Sequence, residues 1–178
     1  MSSFSATLPD ASVIAALVLG GVACFCDVRV RRIPNTLTFG ASAVAFAFFL
    51  ATKGFEGLGL SVAGWCVGLA MFVPFFLLGG MGAGDVKLLA AFGAWLGPWR
   101  IVWAAAFGGI AGGVLAVVVA VGHGYLRQAL YNLGSLLWFW RTVGVQTHPE
   151  LTLEHAKGPR LTYAVPITIG MVVALWLR

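Results

Sequence analysis

Two aspartates stand where an apolar chain can least easily carry a charge. Asp27 closes the first apolar run, just ahead of Arg29, Arg31 and Arg32. Asp85 lies in Gly80-Met81-Gly82-Ala83-Gly84-Asp85-Val86-Lys87, between two later apolar runs. An ionisable group at the edge of a membrane is costly enough to mark a functional site by default. Two carboxylates at one depth can face each other and share a proton, because like charges that close cannot both ionise. Such a pair can activate a water for attack on a peptide carbonyl and then protonate the leaving amine. It titrates as a unit, so neither aspartate is singled out as acid or base. Gly82 and Gly84 suit a loop whose backbone must approach another closely.

Each residue also has a plainer reading. Asp85 can cap the helix that follows it, where a carboxylate satisfies free N–H groups and suits the dipole. Asp27 stands at a helix C-terminal end, where its charge is disfavoured, and can form a surface ion pair with Arg29, Arg31 or Arg32. Lys87 can snorkel, pair with a carboxylate or simply set topology. His123, His148 and His155 lack a tight ligand spacing, and with no C-x-x-C pair the sequence predicts neither a metal site nor a cofactor. Cys24, Cys26 and Cys66 read as small apolar fillers. Asp10, Glu56 and Glu150 read as solvated loop charges, and Glu154 as the same or as a partner of Lys157.

The elements that must position the aspartates are membrane spans. The chain has 178 residues, 60% hydrophobic and 10% charged, against roughly a quarter charged for soluble domains. The expected fold is all-α, a single polytopic membrane domain over residues 1–178 with about six transmembrane helices. Spans are predicted over 11–26, 36–52, 58–78, 86–96, 101–121 and 161–177. Residues 53–57 read as a turn. Pro34 suits a helix start, and Pro74 is expected to kink the third span. Gly64 and Gly68 form a small-xxx-small pair. Gly108, Gly109, Gly112 and Gly113 form two overlapping G-x-x-x-G pairs, for contact inside the protein or between copies. Trp95, Trp99 and Trp103 are expected at the outer interface. Leu126, Leu130, Leu133, Leu137 and Trp140 share one stripe, which predicts an amphipathic helix lying in the interface. Residues 147–159 read as polar loop.

The first ten residues lack Lys and Arg, unlike a cleaved signal peptide. The arginines after the first span put the N-terminus outside and both aspartates on the cytoplasmic side. Arg29, Arg31, Arg32, Lys87, Arg127, Arg141, Lys157 and Arg160 then fall inside, and Lys53, Arg100 and Arg178 outside. Basic residues this few, all near apolar ends, argue against nucleic-acid binding.

The stretches Asp27-Val28-Arg29-Val30-Arg31-Arg32-Ile33-Pro34-Asn35 and Gly82-Ala83-Gly84-Asp85-Val86-Lys87 together resemble the prepilin peptidases, membrane aspartyl proteases of the G-x-G-D class. The resemblance extends to Tyr163-Ala164-Val165-Pro166, though Thr162 stands where many relatives have proline. It implies removal of the short basic leader from type IV pilin-like precursors at the cytoplasmic face of the bacterial inner membrane. Asp27 and Asp85 would be the catalytic pair. Gly82, Gly84, Lys87, Pro34 and Asn35 would position the loops and the substrate. Larger members carry a cytoplasmic insertion with paired C-x-x-C motifs and methylate the new N-terminus. This chain has neither feature and resembles the short, peptidase-only form associated with Flp-type tight-adherence pili. The expected partners are a pilin-like precursor, the bilayer and a second copy of the chain through the glycine-rich spans. Two readings compete: a small ion- or proton-coupled transporter lined by Asp27, Asp85 and Lys87, and a non-catalytic pilus assembly factor. A transporter would place its charges near the midplane and often shows repeated halves, which this sequence lacks. An assembly factor would tolerate loss of either aspartate.

Overall fold

The computed structural model describes residues 10–146 and 162–176, and among these the only regular structure is helical. The elements are α1 (Asp10–Val30), α2 (Asn35–Leu77), α3 (Ala83–Gly122), α4 (Leu126–Val143) and α5 (Ala164–Trp176). The first three are long and apolar enough to cross a membrane, and α5 is a shorter apolar helix. The expected loop over 147–159, with His148, Glu150, Glu154, His155 and Lys157, lies outside the described residues, as do Arg160 and Arg178.

α2 and α3 are long because each runs through a break made by one glycine. Gly54 adopts φ 64° and ψ −154°, and Gly97 adopts φ 79° and ψ 172°. Side chains with a Cβ are strained in that region, so glycine is the residue that turns the chain there. Pro98 then opens the second half of α3 with its fixed φ. Residues 53–57, expected to form a turn, stay helical on both sides of Gly54. Pro74 lies inside α2 without a departure from helical angles, which occurs at Gly54 instead.

Small residues let the backbones meet. A Cβ on Gly64 would run into the carbonyl of Gly93, and one on Gly68 would stand 2.7 Å from the carbonyl oxygen of Leu89. Ser61 donates a 2.6 Å hydrogen bond to the carbonyl of Ala94 in the same seam. The second half of α3 packs on α5, where a side chain on Gly170 would strike the backbone of Ala104 and Gly108. Gly112 meets Tyr163 and Pro166, whereas Gly109 and Gly113 face open space. One of the two overlapping glycine pairs is thus used inside the molecule. α1 docks on α5 through Gly20 against Thr168 and a 3.3 Å hydrogen bond from Cys24 to Thr168.

The core is the first half of α3, where Val86 and Leu88 to Leu96 are all buried. Trp95 belongs to that core. It is 5% exposed, while Trp99 and Trp103 are 61% and 40% exposed. Only the last two present their rings at the surface, because Trp95 is packed against Phe48 and Phe49 of α2. α4 has no buried residue, and Leu130, Leu133 and Leu137 of the expected apolar stripe are exposed.

Candidate active site

Five segments converge at one end of the bundle: the end of α1, the chain into α2, the turn into α3, the start of α3 and the start of α5. α1 continues past its apolar run to Val30, which leaves Asp27 in its last turn. The Arg31 N–H closes that turn on the Asp27 carbonyl at 2.9 Å. Arg31 then takes a positive φ of 53°, and Pro34 in extended conformation leads into α2 at Asn35. On the other side, Gly79 with φ 75° reverses the chain after α2. Gly82 is extended and caps α3, and Asp85 falls in the first helical turn.

The two motifs fit each other residue by residue. A Cβ on Gly84 would stand 3.3 Å from Cβ of Ile33, so the bare glycine is what lets Ile33 approach. A Cβ on Gly82 would stand 3.1 Å from Oδ2 of Asp85, so Gly82 leaves room for the carboxyl group. The same carboxyl interacts with the Gly82 backbone N–H. Asp85 therefore both tethers the start of α3 and faces the second aspartate. Lys87 donates a 2.9 Å hydrogen bond to Oδ1 of Asn35 and lies 5.3 Å from the Phe39 ring centroid. Its partner is an amide and a ring rather than the carboxylate considered from sequence, because Asn35 starts α2 beside it.

Asp27 and Asp85 are both buried, at 9% exposure each, and within electrostatic reach of one another. They line one cavity of about 710 Å³, together with Gly82, Gly84, Lys87, Ile33, Pro34 and Asn35. All seven residues singled out from sequence are thus brought to one place. The surface ion pair considered for Asp27 does not form among the described residues. Its Oδ2 accepts a 3.1 Å hydrogen bond from the Ala164 N–H at the start of α5, and Arg29 lies over the Phe25 ring.

That bond is the feature the sequence reading lacked. Ala164 is apolar and offers only its backbone, so residue type carries no sign of it. The one available signal was its place in the Tyr163-Ala164-Val165-Pro166 segment. Tyr163, one residue before α5, also belongs to the site's surroundings. The Tyr163 phenol is partly buried and within electrostatic reach of the Asp85 carboxyl. Among the described residues no group of three His, Cys, Asp or Glu side chains converges in a way that could hold a metal ion.

Chemically, the cavity offers two buried carboxyl groups, an ammonium group at its rim and backbone donors fixed by helix starts. The family model that matches is that of the type IV leader peptidase family, over residues 8–117. The matched part contains both aspartates and ends before α4 and α5. Nothing among the curated proteins and nothing among the solved structures matches the chain.

Proposed function

The chain belongs to the type IV leader peptidase family, and from that premise we propose that it is an aspartyl endopeptidase acting through Asp27 and Asp85. The observation that carries this reading is that both aspartates are buried and line the same cavity. One carboxylate takes a proton from a water as its oxygen attacks the scissile carbonyl. The other, carrying the shared proton, donates it to the carbonyl oxygen. Collapse of the tetrahedral intermediate breaks the C–N bond, and a carboxyl proton goes to the leaving amine. Gly82 and Gly84 let the α3 start close on Ile33, and Lys87 with Asn35 ties that start to α2. Pro34 fixes the extended entry into α2.

In this reading the single domain crosses the inner membrane six times. A straight α2 would run about 65 Å, roughly twice a hydrocarbon core, so the breaks at Gly54 and Gly97 divide α2 and α3 into two crossings each. Arg29, Arg31, Arg32 and Lys87 gather at the aspartate end, which supports a cytoplasmic position for that end and an outside N-terminus. α4 lies in the interface with Leu130, Leu133 and Leu137 toward lipid. The substrate is a pilin-like precursor of the Flp type, cut without methyl transfer, since the chain has no paired C-x-x-C element. The test is leader removal from a co-expressed prepilin, followed by gel shift. Wild type cuts, while Asp27→Asn and Asp85→Asn, inserted at normal levels, do not. Cutting by both variants would overturn the dyad.

A further inference from the structure

A second cavity, of about 280 Å³, opens at the other end of the helices, where the breaks at Gly54 and Gly97 both border it. Measured along the helices, it is about 28 Å from Asn35 on α2 and about 18 Å from Asp85 on α3. The longer path approaches the roughly 30 Å hydrocarbon core, and the shorter is a little over half of it. The cavity is thus distinct from the aspartate site and lies toward the opposite leaflet.

Its lining divides in two. Phe49, Trp95 and Trp99 supply apolar and amphipathic walls, and Lys53, Glu56 and Arg100 bring charges to the same space. Lys53 is held over the Phe49 ring at 5.7 Å. Glu56 is exposed beside it, one turn further along the chain. Two cations and one carboxylate beside an apolar shelf suit a ligand that carries both charges. It needs an anionic oxygen cluster, an ammonium group and an apolar body.

We propose that this cavity binds the headgroup of a phosphoethanolamine lipid, with the phosphate at Lys53 and Arg100 and the ammonium group at Glu56. The glycerol and upper acyl chain lie against the tryptophan and phenylalanine walls. A phosphoglycerol lipid offers its phosphate to Lys53 and Arg100 but no ammonium group to Glu56. A phosphocholine lipid carries a cation that cannot donate a hydrogen bond to Glu56. The site therefore ranks phosphoethanolamine first. It depends on membrane embedding and not on the chemistry proposed for the aspartates.

The test is native mass spectrometry of the full chain in detergent after delipidation. Dioleoyl phosphoethanolamine, phosphoglycerol and phosphocholine lipids are added in turn, with inorganic phosphate as a fourth arm. The wild type should retain phosphoethanolamine about tenfold better than either other lipid, the scale of one net hydrogen bond. Lys53→Ala should lower retention of all three lipids. Glu56→Gln should erase the preference while leaving phosphoglycerol binding intact. Lys53 and Glu56 are exposed, and Lys53→Gln offers a milder removal of the charge. Helical circular dichroism and an unchanged elution profile establish that each variant is folded. Equal retention of the three lipids by wild type overturns the proposal. So does wild-type behaviour of the folded Lys53 and Glu56 variants, or binding of inorganic phosphate strong enough to displace the lipid.

Discussion

At the aspartate end, the two carboxylates and the Lys87 ammonium group that line the cavity are each held by something rigid. Asp27 is bonded to the Ala164 N–H, Asp85 meets the Gly82 N–H, and Lys87 is bonded to Asn35. At the opposite end Lys53 and Glu56 are exposed, and among the described residues Lys53 rests against the face of Phe49. Both cavities sit where glycines interrupt helices, yet one holds its carboxylates in place before any ligand arrives and the other presents long side chains that can adapt. Fixed groups suit a reaction, whose acid and base must stand within hydrogen-bond reach of the bond being broken. Adaptable groups suit retention of a mobile amphiphile. The comparison teaches that the helix breaks alone do not define a site; the backbone donors around them do.

The sharpest way to break the comparison is at the aspartates. Asp27→Asn or Asp85→Asn should lower prepilin cleavage by at least about a hundredfold, the lower end of what acid–base groups contribute. Neither should alter lipid retention at the far cavity. The spine shared by the two ends is the next target. Gly93→Ala drives a methyl group into the Gly64 carbonyl, where both atoms belong to helix backbone and neither can rotate aside. Overpacking of this kind costs about 1–3 kcal/mol, so the thermal midpoint and both functions should fall together. Gly109→Ala, which meets nothing within 4 Å, should leave the midpoint unchanged or raise it, since alanine is the better helix former. A Gly93→Ala protein as stable as wild type would mean that the α2–α3 seam is looser than described.

How much of this was legible in the sequence follows from where the information resides. Asp27, Asp85 and the glycines before Asp85 are distinctive in their side chains, or in the lack of one, and their places after the first and third apolar runs put the two carboxyl groups at one depth. The close approach at Gly64 was equally readable, because small residues one turn apart have few other uses in a membrane helix. Trp95 is buried and not surface-facing like Trp99 and Trp103, because tryptophan suits an interface and a core alike. Which one it occupies depends on Phe48 and Phe49, more than forty positions earlier in the chain. The break in α2 occupies one glycine with a positive φ and not the five-residue turn that the sequence suggests. The Ala164 bond was beyond reach, since any residue but proline offers the same N–H.

That last point is itself testable, and it sets apart backbone from side chain at the aspartate end. Ala164→Pro removes the donor to Asp27, and proline is compatible with the first position of a helix. Ala164→Gly keeps the donor and removes only a methyl group. Losing a hydrogen bond to a charged group costs about 1.5–3 kcal/mol, so cleavage by the proline variant should fall about ten- to a hundredfold in kcat, with KM little changed. The glycine variant should stay within a few-fold of wild type. Equal losses in both would trace the effect to packing around Ala164 and not to its N–H.

The smallest effect at this end is expected at Lys87, whose part is indirect. Its ammonium group holds Asn35 at 2.9 Å and rests near Phe39, which binds the start of α3 to the start of α2. Gly84 against Ile33 makes the same connection a few residues away, so the two contacts support one another. Lys87→Met keeps most of the apolar stem and loses the hydrogen bond, a net cost of about 1 kcal/mol, which corresponds to a several-fold fall in kcat. Gly84→Ala presses its new methyl group on Ile33, whose side chain can yield by a few tenths of an ångström, and should cost about as much. Because both residues maintain one spacing, the double variant should lose more than the product of the single losses. Simple multiplication of the two effects would show that Lys87 acts on the substrate or the lipid and not on the register between the two motifs.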